Sequence, residues 1–204
     1  MATANKSHWE NIYTTKSPNQ VSWTQDKPNE ALTFLEQSNI SKSDNIIDIG
    51  GGDSLLVDHL LEMGYTNITV LDISEAAINR AKKRLDHKAE NVTWITSDIL
   101  EFKPDTTYQF WYDRAVFHFL TDKADIAQYK QLVNTAADKN LVIGTFSKKG
   151  PLKCSGLEIS QYSESSLSEL FSEQFDLKHS KTLDHKTPFD TIQNFTFCHM
   201  VKNN

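Results

Sequence analysis

The chain has 204 residues, a formal net charge of −6 and a pI near 5.6, with 38% hydrophobic and 24% charged residues. That length suits one α/β domain burying about 70% of its unfolded surface, and the acidic balance argues against broad binding to nucleic-acid phosphates. No stretch approaches the roughly 18 apolar residues of a membrane span, and the opening MATANKSHWE holds no signal core, so a cytoplasmic protein without membrane contact is expected.

Residues 1–40 read as a polar, aromatic-rich arm carrying Trp9, Tyr13 and Trp23, followed by a helical pattern over 30–37. Such an arm is either a lid or a brace. Residues 46–49 form a short apolar run ending in Gly50, Gly51 and Gly52, the pattern of a buried parallel strand entering a tight turn. Leu55, Leu56, His59, Leu60 and Met63 then recur at helical spacing, and Gly64 supplies the stop. A second strand, 68–71, ends at Asp72, and Ser74 caps a helix whose apolar face is Ala77, Ile78, Ala81 and Leu85.

A third strand (92–95) precedes Asp98, a fourth (108–112) precedes Asp113 and a fifth covers 141–146, with helical patterns between them. A helical stretch over 163–171 and two strands, 175–182 and 195–201, then make a closing hairpin. Alternating strand and helix predicts a mainly parallel sheet with helices on both faces, and it places ligands at the carboxyl ends of the strands.

The glycine turn brings bare backbone close to a ligand and is expected to aim free N–H groups at it. Leu55 stands where the dinucleotide fingerprint G-x-G-x-x-G has its third glycine, which argues against NAD, and no Lys between Gly50 and Glu62 supplies a Walker phosphate cradle. A cofactor without phosphate fits better. Asp72 can accept from both ribose hydroxyls, and Asp98 from an exocyclic adenine amine. Ile73 and Ile99 offer apolar faces for the base. Asp48 orders the turn or, through water, receives an ammonium.

IIDIGGGDS (46–54), VLDIS (70–74), TSDILEF (96–102) and WYDRAVFHFL (111–120) together resemble the class I S-adenosylmethionine-dependent methyltransferases. The resemblance implies a Rossmann-like, seven-stranded, mainly parallel sheet with a reversed last strand. It also implies S-adenosylmethionine as cofactor, S-adenosylhomocysteine as product, and Asp113 within the cofactor site. The expected organisation is one domain, 1–204: the arm over 1–40, a cofactor-binding core over 41–146, and a substrate loop with closing hairpin over 147–204. The opening HWENIYTTKSPNQVSW is similar to the arm of thiopurine, thiol and tellurite-resistance methyltransferases and of some protein-lysine methyltransferases. That implies Tyr13 and Trp23 against the cofactor.

The edge 113–119 sits where this family places the reacting centre. Arg114 either pairs with Asp113 or holds an anionic substrate, and His118 either deprotonates a thiol or amine or fills space beside Phe117 and Phe119. The Asp-Arg start and SKKGPLKCSGLEISQYS (147–163) resemble the sulfur-directed enzymes, whereas the Asn-Pro-Pro-aromatic mark of glutamine and adenine methylation is missing. Cys154 is a metalloid contact, a redox-sensitive thiol or an inert one. The spacing of Cys154, His185, Cys198 and His199 asks for no metal, and strand alternation puts Cys198 and His199 on opposite faces. The leading expectation is methylation of a small nucleophile, sulfur or another chalcogen. Protein-lysine methylation, a non-catalytic cofactor-binding module and an NAD-dependent oxidoreductase are the rivals.

Overall fold

The structure is a computed structural model that describes the backbone of residues 2–203 and the side chains of 6–203. Two helices, α1 (Ala2–Thr15) and α2 (Asn29–Gln37), precede the sheet. Then follow β1 (Asn45–Ile49), α3 (Leu56–Glu62), β2 (Asn67–Asp72), α4 (Glu75–Leu85), β3 (Val92–Thr96), β4 (Tyr108–Arg114), α5 (Lys123–Ala136) and β5 (Ala137–Phe146). A two-residue pair, β6 (Lys153–Cys154) and β7 (Leu157–Glu158), leads to α6 (Glu164–Phe171), β8 (Phe175–Lys186) and β9 (Ile192–Lys202).

Seven strands form one sheet in the order β3-β2-β1-β4-β5-β9-β8. β1 to β5 run parallel, and β9 is antiparallel to both β5 and β8, so the last strand is the reversed one. The inner parallel strands β1, β2, β4 and β5 are mostly buried on both faces, which is why their sequences are largely apolar, whereas the edge strand β3 is half exposed and mixes apolar with polar residues. Ile46, Phe110, Val142 and Phe197 pack on one face beneath α2 and α3, and Ile47, Trp111 and Ile143 on the other beneath α5 and α6. The chain leaves β1 toward β2 on one side and returns to β4 on the other. That divergence opens a crevice at the carboxyl ends of β1 and β4.

Two segments differ from the sequence expectation. The arm begins as helix α1, although its sequence has little amphipathic periodicity. α1 packs against α4, and Glu10 fastens it there: its carboxylate accepts from Ser74 Oγ (2.7 Å) and Ala76 N (3.1 Å) at the start of α4. The expected substrate loop contains the β6–β7 hairpin, turned by Ser155 (φ +52°) and Gly156 (φ +82°), the backbone pattern that tight hairpin turns require.

Candidate functional site

The crevice is a cavity of about 540 Å³, and its wall brings together Tyr13, Trp23, Asp48, Gly50, Asp72 and Ile73. Asp98, Ile99, Arg114 and Cys154, also expected from sequence, line it too. Gly51 and Gly52 are buried behind this wall.

The glycine turn is a matter of space. A Cβ on Gly50 would lie 2.2 Å from Val116 Cγ2, one on Gly51 would lie 2.5 Å from Asp48 Oδ2, and one on Gly52 would lie 2.4 Å from Asp72 Oδ2. Contrary to the expectation of free amides, the N–H groups of Gly50 and Gly51 both donate to the carbonyl of Leu71 (2.7 and 3.2 Å). The second and third glycines therefore let two carboxylates crowd the loop.

Asp48 is 3% exposed, and its Oδ2 has no hydrogen-bond partner among the described residues. Burial, reinforced by Asp72 and Asp113, holds its carboxyl well above the usual carboxylate range. Asp72 Oδ1 accepts from Ser74 N (2.8 Å). Burial pushes its pKa up to about 7, against the Ser74 and Ile73 N–H groups and with Glu10 adding to the rise. Asp98 Oδ1 accepts from Leu100 N (3.0 Å), which fixes the carboxylate beside Ile99.

Aromatic rings roof the cavity. Trp9 on α1 meets Trp23, Phe119 and Tyr13 at centroid distances of 5.6, 5.2 and 6.4 Å, and Tyr13 meets Trp23 at 6.2 Å. Arg80 on α4 ties the arm down by donating to the carbonyl of Lys16, and Arg84 pairs with Asp53 and Asp58, both at 2.8 Å, across the end of the glycine turn. Sequence reading missed Glu10 in this assembly. No local signal reveals it, because it caps a helix 64 residues away.

Two expected site residues lie elsewhere. Asp113 is fully buried on the opposite face of β4 and does not line the cavity. Its Oδ2 accepts from Tyr129 Oη (2.6 Å) and its Oδ1 from Val116 N and Phe117 N (3.0 and 3.2 Å), so it locks the turn after β4 instead of meeting a cofactor. His118 is also 0% exposed and absent from the cavity wall. Its ring lies between Phe119 and Phe146, and its Nδ1 accepts from Phe146 N (3.3 Å). Burial, with nearby Arg114, pushes its pKa down to about 3, so the ring is neutral, and its place among Phe119 and Phe146 outside the cavity wall fits a packing role.

Arg114, by contrast, lines the cavity and forms no ion pair with Asp113, since adjacent strand residues point to opposite faces. Cys154 is a buried thiol whose pKa burial pushes up to about 12. Cys198 and His199 face opposite ways, as alternation requires: Cys198 Sγ reaches the Glu164 carbonyl, and His199 Nε2 reaches Asn140 Oδ1 (2.9 Å). No helix among the described residues is long and apolar enough to cross a membrane.

This sheet order and crevice define the Rossmann-like fold of class I methyltransferases. A family model described as Methyltransferase domain matches residues 46–137. The mouse (Mus musculus) eEF1A lysine and N-terminal methyltransferase is 28% identical over 127 residues, 58% of this chain and 17% of that protein. Malonyl-[acyl-carrier protein] O-methyltransferase 2 of Ilyobacter polytropus is 31% identical over 91 residues, 44% of this chain and 34% of that one. The chain thus spans about a third of one of these relatives and about a sixth of the other. Among solved structures, 1,6-didemethyltoxoflavin-N1-methyltransferase of Burkholderia thailandensis, with 1,6-didemethyltoxoflavin and S-adenosylhomocysteine bound, superposes with a TM-score of 0.76 at 15% identity, covering 100% of this chain and 89% of that one.

Proposed function

We propose that the chain is an S-adenosylmethionine-dependent methyltransferase acting on a small nucleophile, with sulfur or a heavier chalcogen as the attacking atom. The observation that carries the cofactor is Asp48, a buried carboxylate oxygen without a partner beside a turn whose Cβ positions are all blocked. An orphaned buried carboxylate asks for a cation, and the ammonium of the cofactor's amino-acid end supplies one. Asp72 would take the ribose hydroxyls and Asp98 the adenine amine. Ile73 and Ile99 would flank the base, while Tyr13 and Trp23 close over the top. The methyl carried by the cofactor's sulfonium is already activated, so the chain's work is to bind, align and exclude water. Calorimetry with S-adenosylmethionine, and NADH as control, tests this half of the reading; binding of NADH alone would overturn it.

A sulfur or heavier chalcogen acceptor is supported by the absence of a histidine from the cavity wall among the described residues. Of the carboxylates in that wall, Asp48, Asp72 and Asp98 belong to the cofactor end, Asp53 is paired with Arg80 and Arg84, and Asp26 is exposed to solvent. A thiol or selenol that ionises near neutrality needs no base, unlike an ammonium. Purified protein is expected to methylate small thiols, selenide or tellurite with S-adenosylmethionine, read by mass spectrometry. No turnover of any of them, beside clear transfer into a protein, would sink the proposal. Methylation of a protein lysine is the second reading, favoured by the likeness to the mouse lysine and N-terminal methyltransferase. Radiolabel entering a protein band of a cell lysate would support it.

A further inference from the structure

Arg114 carries a charge that the fold leaves uncompensated. Its Nη1 donates to the carbonyl of Trp23 (3.0 Å), while Nε and Nη2 are buried without a hydrogen-bond partner among the described residues. No carboxylate lies within 4.0 Å of it in the same set, and Glu30, which faces it from α2, is itself near Lys181 (3.9 Å). Burial lowers the Arg114 pKa, with Tyr112, Glu30, Cys154 and Asp48 opposing the shift from further off. A guanidinium does not lose its proton under these conditions, so the charge persists.

The Nε–Nη2 edge of a guanidinium is one of the two forks that receive a carboxylate through parallel hydrogen bonds. Here that edge is unpaired while the third nitrogen is pinned, which orients the fork. Its direction matters as well. Arg114 is opposite Gly144 on β5, and its guanidinium carbon lies 4.8 Å from the ring centroid of Phe195, which is on β9 beyond β5. The side chain therefore reaches away from β1 and the glycine turn, toward the part of the cavity wall formed with Cys154 and Trp23.

Resting on the reading of the cavity as a methyl-transfer site, we propose that Arg114 holds a carboxylate on the methyl acceptor. The acceptor is then a small thiol-type nucleophile that bears an anionic head group, and Arg114 selects it by its fork as well as by its charge. The same guanidinium disfavours an acceptor that arrives as an ammonium.

The test uses the whole chain saturated with S-adenosylhomocysteine. Benzoate and benzamide are titrated while tryptophan fluorescence is followed, since the Trp23 carbonyl is held by the same guanidinium. Benzoate is expected to bind at least tenfold more tightly than benzamide. Arg114→Gln should remove that preference and Arg114→Lys, which keeps charge without a fork, should retain only part of it, with S-adenosylmethionine affinity by calorimetry within twofold of the parent in both. The Lys variant guards against loss of folding in the Gln variant. Equal binding of acid and amide by the parent would overturn the proposal. So would a tenfold loss of S-adenosylmethionine affinity in both variants with the acid preference intact, which would assign Arg114 to the cofactor's own carboxylate. Turnover of 2-mercaptobenzoate and thiophenol separates this from the parent reading. Arginine-dependent benzoate binding with neither thiol methylated leaves the anion site standing and removes the chalcogen acceptor, whereas equal methylation of both thiols without benzoate binding does the reverse.

Discussion

Replacing Gly50 by alanine tests why the turn after β1 is built from glycine, and the structure divides the cost into two parts. Gly50 has φ +67°, and left-handed backbone costs a residue with a Cβ about 1–2 kcal/mol. The added Cβ would also lie 2.2 Å from Val116 Cγ2, an overlap relieved only by moving the turn or that side chain, at about 1–3 kcal/mol. Gly64 separates the parts, because its φ is +82° but nothing lies within 4 Å of its Cβ position. Gly64→Ala is therefore expected to cost about 1–2 kcal/mol and Gly50→Ala about 2–5 kcal/mol, measured as urea unfolding midpoints at constant m-value. Val116→Ala in the Gly50→Ala background removes the methyl that is struck and should recover part of the difference. A Gly50→Ala chain no less stable than Gly64→Ala would refute the steric account of the turn.

Three further outcomes follow from the site. Asp72 is protonated below about pH 7 in the unliganded chain, and a protonated carboxyl offers the ribose hydroxyls a weaker acceptor. S-adenosylmethionine affinity should then rise with pH and level off above 7, by up to about tenfold per unit on the acid side. Asp72→Asn should flatten that calorimetric profile, and an unchanged profile counts against the assignment. His118→Leu should cost stability, about 1–3 kcal/mol for the Phe146 N–H left without its acceptor, while kcat stays within about threefold because the ring does not line the cavity; a large fall in kcat with stability intact would restore His118 as a base. Glu10→Ala removes the cap shared by Ser74 and Ala76, worth about 1–2 kcal/mol. Hydrogen exchange in α1 and at the start of α4 should rise together, and a change confined to α1 would mean that the contact carries no load.

The sheet was legible because parallel strands buried on both faces must be apolar throughout, so 46–49 and 141–146 announce themselves. The acids Asp48, Asp72 and Asp98 were legible for a related reason, since each is a polar residue at or just beyond the end of such a run. Helix α1 was not, because its stability comes from its own Glu10 binding the start of α4 and from Trp9 meeting Trp23 and Phe119, contacts made outside the helix. The two-residue strands β6 and β7 are too short for any periodicity. Asp113 could have been placed correctly: the alternation that separates Cys198 from His199 also separates Asp113 from Arg114. The free amides expected at Gly50 and Gly51 failed on a contact with Leu71, which no local pattern encodes.

That alternation at the end of β4 has an evolutionary consequence. Asp113 is tied to Tyr129 and to two backbone amides, so changing it disturbs the core and the turn. Arg114, one peptide further on, is held by a single backbone carbonyl and otherwise faces the cavity. Mutation can thus sample new side chains at the second position while the first keeps the strand end in place. A lineage descended from such a chain would diversify its acceptors at Arg114 long before it altered its scaffold at Asp113.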